Sequence, residues 1–396
     1  MLHYYKVVVK MKPFIKWPGG KEKEVDIISN FFPKDLNRYF EPFVGGGAVY
    51  FSLDNEKYMD IPKYLNDISN ELIKLYKYIK ESNSIFFDSI EKIQYNWNVL
   101  EKVINMHSFE LLKYYYEYQE NRIEFDFLKK KIEFFIEENE DDFNGIMSDK
   151  DFNPCAELFK KTIVSYICRR FKRLKALSLN NNLTEEDILD AIETALKGSF
   201  YNHYRYIYNN KDRNSSINIK PEFASAIYYF IRENCYASMF RYNQFGDFNI
   251  PYGGRAYNKK MFKSKIINKE LINYMKNTQI ENMDFLDFMM KYKPKHNDFV
   301  FVDPPYDSDF SKYSNTEFLK EDHERLCNYL KKLEANVMIV IKKTDYIYEL
   351  YKKNGFNIYE FNKKYLVNCK NRNNRDVTHL IITNYEVIKI NDKLLD

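Results

Sequence analysis

Short apolar runs alternate with amphipathic stretches at both ends of this chain, whereas the middle is helical in pattern and very polar. Residues 38 to 83 read as a β-α-β-α start. "RYFEPFV" is a short strand, "GGG" a turn, "AVYFSL" a helix opening, "KYLNDI" a second strand, and "SNELIKLYKYIK" a helix capped by Ser69. From about 84 to 200 apolar residues recur at helical spacing, as in "SFELLKYYYEYQENRIEFDFLKKKIEFFIEENEDD". In "LTEEDILDAIETALKG", Thr184 and Asp187 form a capping box and Gly198 is a plausible stop. Strand patterns return after 280 with "DFVFVD" and "NVMIVIKK", separated by the helical "LKEDHERLCNYLKKLE", and "VTHLIITNYEV" ends the sheet. Strands and helices that alternate at both ends, with helices between, predict one α/β domain interrupted by a long insertion.

Composition narrows the picture. At 396 residues the chain has room for two or three compact regions. A net charge of +4 is too small to argue for a nucleic-acid partner, so the distribution has to. Residues 133 to 151 are acidic, while "FKKTIVSYICRRFKRLK" (159 to 175) holds seven lysines and arginines and no acid. That run reads either as a solvated helix face or as a basic helix beside nucleic acid. Cys155, Cys168, Cys235, Cys327 and Cys369 form no C-x-x-C pair, which suggests a reducing compartment and neither a disulfide framework nor a zinc site. No apolar run approaches the roughly 18 residues of a membrane span, and the N-terminus lacks a signal-peptide pattern. A soluble, cytoplasmic protein without a membrane partner is expected. Met11 is a second candidate start.

Three patches carry chemistry. In "EPFVGGGAVYF" a glycine turn follows a strand and opens a helix, so the backbone can approach a ligand closely. The dinucleotide fingerprint is incomplete because Tyr50 stands at its third glycine, but Asp67 lies about 20 residues on, where an acid would hold a ribose. An adenosine ligand without pyrophosphate fits best, and S-adenosylmethionine is such a ligand. "FIKWPGGK" is either a surface turn or an aromatic contact plus a cation for a carboxylate. "FVFVDPPY" ends a buried strand with two prolines that cannot continue the ladder. Polar groups at the carboxyl end of such a strand stand where open α/β sheets bind ligands. The Asp303 carboxylate and the Pro304 carbonyl can accept both hydrogens of an exocyclic base amine and favour its tetrahedral, nucleophilic form. Tyr306 can stack on a base turned out of the duplex.

These motifs, in this order, resemble the Dam family of DNA adenine-N6 methyltransferases. The matching stretches are "KWPGGK", "EPFVGGG", "NDIS", "FRYNQFGDFNIPYGG", "FVDPPY" and "KYSNTEF…H", over residues 11 to 83 and about 200 to 390. The resemblance implies a Rossmann-like methyltransferase sheet with helices on both faces. Residues 11–83 and 281–390 would form a discontinuous catalytic domain, 84–200 a helical insertion, and 201–280 a target-recognition region with its hairpin at 235–260. Trp17, Lys21, Asp67 and Asp303 would contact the cofactor, with Phe43, Gly45 and Gly47 shaping its turn. Asp284 and Phe285 occupy the place where the family holds the cofactor's adenine, although Phe285 is equally a core residue. Pro18 replaces the family's usual alanine, and the insertion carries no readable motif.

For DNA, the hairpin stretch mixes aromatics, arginines and amides without regular periodicity. Arg241 could bind a guanine edge, Asn243 or Arg255 a phosphate or base, and Tyr236 and Met239 could wedge into the stack. Lys16, beside the cofactor turn, could touch the duplex. The leading expectation is therefore a site-specific enzyme on double-stranded DNA, from a restriction–modification system with a cognate endonuclease or from a phage. Methylation of RNA or of a protein amide, and an inactive DNA-binding relative, are the alternatives.

Overall fold

The strand patterns from the two ends of the chain assemble into one sheet. The computed structural model describes residues 11–54, 57–143, 145–147, 149–215, 217–239, 241–305, 318–364 and 376–387. In chain order come α1 (Val25–Ser29), β1 (Tyr39–Glu41), α2 (Ala48–Ser52), β2 (Lys63–Asn66) and α3 (Asn70–Lys80). Next are α4 (Ser84–Met106), α5 (Ser108–Gln119), α6 (Phe125–Glu138), α7 (Ala156–Ser178), α8 (Glu185–Asn210) and α9 (Pro221–Asn234). Then follow α10 (Lys269–Met275), β3 (Thr278–Glu281), α11 (Phe285–Tyr292), β4 (Phe299–Val302) and α12 (Lys320–Leu330). The chain closes with β5 (Asn336–Lys342), α13 (Asp345–Lys353), β6 (Asn357–Lys364) and β7 (Asp376–Thr383). Among these helices none is long and apolar enough to cross a membrane.

The chain divides into two compact units, Met1–Glu81 with Lys269–Asp396, and Ser82–Asn268. The first holds a seven-stranded sheet of order β3-β2-β1-β4-β5-β7-β6. β3, β2, β1, β4 and β5 are parallel to their neighbours, whereas β7 pairs antiparallel with both β5 and β6. "VTHLIITNYEV" thus ends the chain order of the strands but lies inside the sheet, and the edge is β6, which the apolar pattern did not announce. Side chains alternate across the pleat. Phe40, Val300, Val302, Val337 and Ile339 form one core with α11, α12 and α13. Tyr39 and Phe299 meet on the opposite face, ring centroids 5.8 Å apart.

The second unit is helical. α8 begins with the expected capping box, in which Thr184 Oγ1 accepts from the Asp187 amide at 3.1 Å. It does not stop at Gly198 but runs on to Asn210. Nearly every residue from Ile192 to Tyr204 is buried, so packing on all sides outweighs the helix penalty of one glycine, about 1 kcal/mol. The continuous helix also crosses position 200, where a boundary between insertion and recognition region was expected. The pattern from 108 to 138 breaks into α5 and α6. Lys175 Nζ closes α5 by donating to the Tyr118 carbonyl and to Asn121 Oδ1, both at 2.7 Å.

Candidate active site

Strand order reverses between β1 and β4, because the chain steps from β1 to β2 on one side and from β4 to β5 on the other. At such a switch point the loops leaving the carboxyl ends diverge and open a crevice. Three motifs leave neighbouring strands there: the glycine turn after β1, Asp67 after β2 and Asp303 after β4.

Asp67 ties the first two motifs together. Its Oδ2 accepts from the Gly45 amide at 3.0 Å and its Oδ1 from the Ser69 amide at 2.9 Å. Burial pushes its carboxyl above the usual range, opposed by hydrogen bonds from the Ser69, Gly45 and Ile68 amides. The turn requires glycine: Gly45 and Gly47 hold φ of 48° and 71°. A Cβ on Gly45 would fall 2.7 Å from Trp17 Cδ1, and one on Gly47 would fall 2.6 Å from the Tyr76 hydroxyl. Tyr76 in turn donates to the Gly45 carbonyl at 3.1 Å. Trp17 therefore lies against the glycine turn, as a residue of the same site.

Lys21 joins the remaining motif. It is 2 % exposed, and its Nζ donates to the Gly19 carbonyl at 2.9 Å and to Asp303 Oδ1 at 2.5 Å. The expected cation for a ligand carboxylate thus pairs with the acid of D-P-P-Y. Pro304 is buried directly behind it. Tyr306 lies outside the described residues. Beneath the site is an acid that opens the "EPFVGGG" stretch but was given no role there. Glu41, 2 % exposed, accepts from the Tyr39 hydroxyl at 2.8 Å. Burial raises its pKa well above the usual range, the Tyr39 bond opposes this, and the charges of Asp303 and Asp67 add to the rise. Asn66, the first residue of "NDIS", was likewise given no role: its amide donates to the Pro42 and Met283 carbonyls at 3.1 and 3.0 Å, locking the ends of β1, β2 and β3. Both stand at strand ends within those motifs, where a polar residue in an apolar run signals a role.

Asp284 and Phe285 take up mainly structural positions. Asp284 caps α11, accepting from the Leu286 amide at 2.9 Å. Phe285 is 5 % exposed, packed on Phe43 at 5.3 Å and on Phe318, with the Arg325 guanidinium over its ring at 5.2 Å. Lys16 is exposed beside Trp17. Among the described residues no group of His, Cys, Asp and Glu is placed to hold a metal.

In the helical unit, within the stretch 235–260 where a hairpin was expected, antiparallel bridges join Cys235 to Tyr252 and Tyr242 to Phe248. Tyr236 is exposed and Met239 half-buried; between them Ala237 and Ser238 both hold left-handed φ, near 53° and 51°. Two such non-glycine residues in succession are strained, by roughly 1–2 kcal/mol each, and they turn this shoulder sharply. Arg241 is exposed and its Nε donates to Asn249 at 3.0 Å. Two of the expected contact residues also have partners within the protein. Asn243 spends its side-chain oxygen on the Phe245 and Asp247 amides, both at 2.9 Å, so it builds the turn. Arg255 pairs with Asp190 and, at 3.8 Å, with Asp187, so α8 already supplies its counter-charges. Arg255 is nonetheless exposed.

The family model for D12 class N6 adenine-specific DNA methyltransferases matches residues 17–162 and 171–367. The Type II methyltransferase M.CviBI of Paramecium bursaria Chlorella virus NC1A is 27 % identical over 378 residues, covering 95 % of this chain and all of the relative. The Type II methyltransferase M.MjaIII of Methanocaldococcus jannaschii is 25 % identical over 390 residues, again with 95 % and full coverage. A DNA adenine methylase of Haemophilus influenzae is 39 % identical over 87 residues, 20 % of this chain and 29 % of its own.

Proposed function

The chain belongs to the D12 class of N6 adenine-specific DNA methyltransferases, and from that premise we propose that it moves the methyl of S-adenosylmethionine to a flipped-out adenine in duplex DNA. One observation carries this reading: the glycine turn, Asp67 and the Lys21–Asp303 pair converge at the switch point of the sheet. The residues there suit the donor. The turn has no side chains to exclude a ligand, and a carboxylate accepts roughly four hydrogen bonds, so Asp67 keeps capacity for a ribose hydroxyl beside the Ser69, Gly45 and Ile68 amides. S-adenosylmethionine, when bound, supplies an electrophilic methyl on sulfur.

The protein's own contribution is to prepare the nucleophile. Adenine N6 is weakly nucleophilic because its lone pair is delocalised into the ring. Asp303 and the Pro304 carbonyl accept its two hydrogens and favour the tetrahedral nitrogen, an interaction that strengthens towards the transition state. Lys21 fixes the carboxylate by one oxygen, so Asp303 meets the amine in a set orientation. Methylation leaves one surplus proton on N6, and Asp303 is the acceptor beside it. Tyr306 stacks on the extruded base. Arg241, with Tyr236 and Met239, reads and wedges the duplex.

Full-length similarity to proteins named type II methyltransferases supports work in a restriction–modification system, in the cytoplasm, alongside an endonuclease of the same specificity. Single-molecule sequencing of DNA from cells expressing the protein tests the reading. N6-methyladenine in one sequence context is the expected result. Its absence under expression of a folded enzyme would overturn it.

A further inference from the structure

We propose that the exposed face of α7 is a track for the phosphates of duplex DNA, continuous with the recognition hairpin. This rests on the DNA-methyltransferase reading above. The seven cations of the basic run have different fates. Lys160 is paired with Glu140 at 2.8 Å and Glu157 at 3.5 Å, and Lys175 closes α5. Both are structural. Arg170 is half-buried, and burial together with the neighbouring Arg173 charge holds it below its ordinary pKa. Lys161 is exposed near the start of the helix, and Arg169, Lys172 and Arg173 are all exposed and spaced i, i+3, i+4 on one face.

Among the described residues these three make no ion pair, although acids elsewhere in this unit pair freely with lysines. Their close partners are neutral. Arg169 lies over the Tyr166 ring at 4.7 Å and donates to the Ser165 carbonyl at 3.2 Å, and Lys172 is 6.0 Å from the Phe125 ring. Thr162, Ser165 and Tyr166 continue the same face without an acid.

A solvated face explains cations without partners equally well, so continuity decides. Gly198 of α8 lacks a side chain where Tyr166 of α7 and Tyr252 of the hairpin converge, each 3.5 Å from the position of a Cβ there. The cationic face therefore meets the second leg of the hairpin over α8. Arg205, two turns beyond Gly198, extends it by donating to the Ile250 carbonyl at 2.6 Å. The result is a line of cations and aromatic rings from Arg173 through Arg169 and Tyr166 to the hairpin. Phosphate contacts set affinity and register but carry no base information, so this track would strengthen binding to any sequence and leave base choice to the hairpin.

The test is the triple variant R169A/K172A/R173A, titrated with non-cognate duplex over a range of KCl, with the methylated sequence mapped in parallel. All three side chains are exposed, and matching circular dichroism melts confirm the fold. Binding should weaken, and the slope of log K against log salt should fall by up to about 0.9 for each lost contact. R169K/R173K, which keeps the charge, should restore most of the slope. An unchanged slope in the triple variant, while the wild type still methylates DNA, overturns the track alone. A changed methylated sequence overturns the division between track and hairpin. A wild type that methylates no DNA overturns the reading beneath both.

Discussion

At the residue scale the site turns on a pair whose lysine is buried and whose carboxylate is partly open. Lys21 is 2 % exposed against Asp303, so Asp303→Ala would remove the counter-charge of a buried cation that keeps its bond to the Gly19 carbonyl, at a cost of several kcal/mol. Asp303→Asn separates chemistry from folding, because the amide oxygen still accepts from Lys21 while the charge that supports the amine is gone. Methyl transfer should fall by about 3 kcal/mol of transition-state stabilisation, roughly 100-fold or more in kcat, with a near-normal melting curve. Single-turnover kinetics check this, and near-wild-type rates would remove Asp303 from the chemistry. Asp67 serves two tasks, holding the Gly45 amide and, as proposed, the ribose. Asp67→Ala should weaken S-adenosylmethionine binding in calorimetry and leave the preferred DNA sequence untouched. Equal cofactor affinity would place the ribose elsewhere.

Elements decide the next level. Gly198 sits in the interior of α8, and a Cβ there would make ordinary 3.5 Å contacts with Tyr166 and Tyr252. Gly198→Ala should therefore stabilise the protein by about 0.5–1 kcal/mol through reduced unfolded-state entropy. A lower melting temperature would show that the rings cannot accept the methyl. The same helix carries an acid-sensitive residue. His203 is 2 % exposed, its Nε2 lies 2.6 Å from Asn153 Oδ1, and burial lowers its pKa to about 3. The ring is neutral in the folded state while the unfolded chain takes up a proton below about 6.5. The unfolded state thus binds more protons between these values, and stability falls as pH drops from about 6.5 towards 3. The slope approaches about 1.4 kcal/mol per pH unit. Denaturant titrations across that window should show it, and His203→Gln should make the acid limb shallower.

Over the whole molecule, the sheet unit is assembled from both ends of the chain, Met1–Glu81 with Lys269–Asp396, while the helical unit Ser82–Asn268 is continuous. β1 cannot pair with β4 until the helical unit has been made, so a long loop must close first. The continuous unit has its own core, around Trp97, Phe200, Tyr204 and Phe230. Expressed as residues 82–268, it should fold alone, with a helical spectrum, a cooperative melt and the acid sensitivity of His203. A non-cooperative melt would mean that its stability depends on the sheet unit.

Local chemistry makes part of this molecule legible in its sequence. Ser69 and Thr184 cap their helices as their spacing predicts, because caps depend on residues three apart. The glycine turn and the two prolines after β4 also speak locally, since they limit φ and remove donors. The same motifs in order carry the family. What they cannot carry is who meets whom. Lys21 and Asp303 lie 282 positions apart, and only the strand order of the sheet brings them together. Gly198 carries a stop signal that holds in isolation and fails when packing surrounds the helix. That Arg255 meets Asp190 of α8, and that Asn243 holds the Phe245 and Asp247 amides, likewise shows only in the fold. Local propensity depends on a few neighbouring dihedrals. Pairing, burial and the sharing of charge depend on distance in space, and that is decided by the tertiary structure.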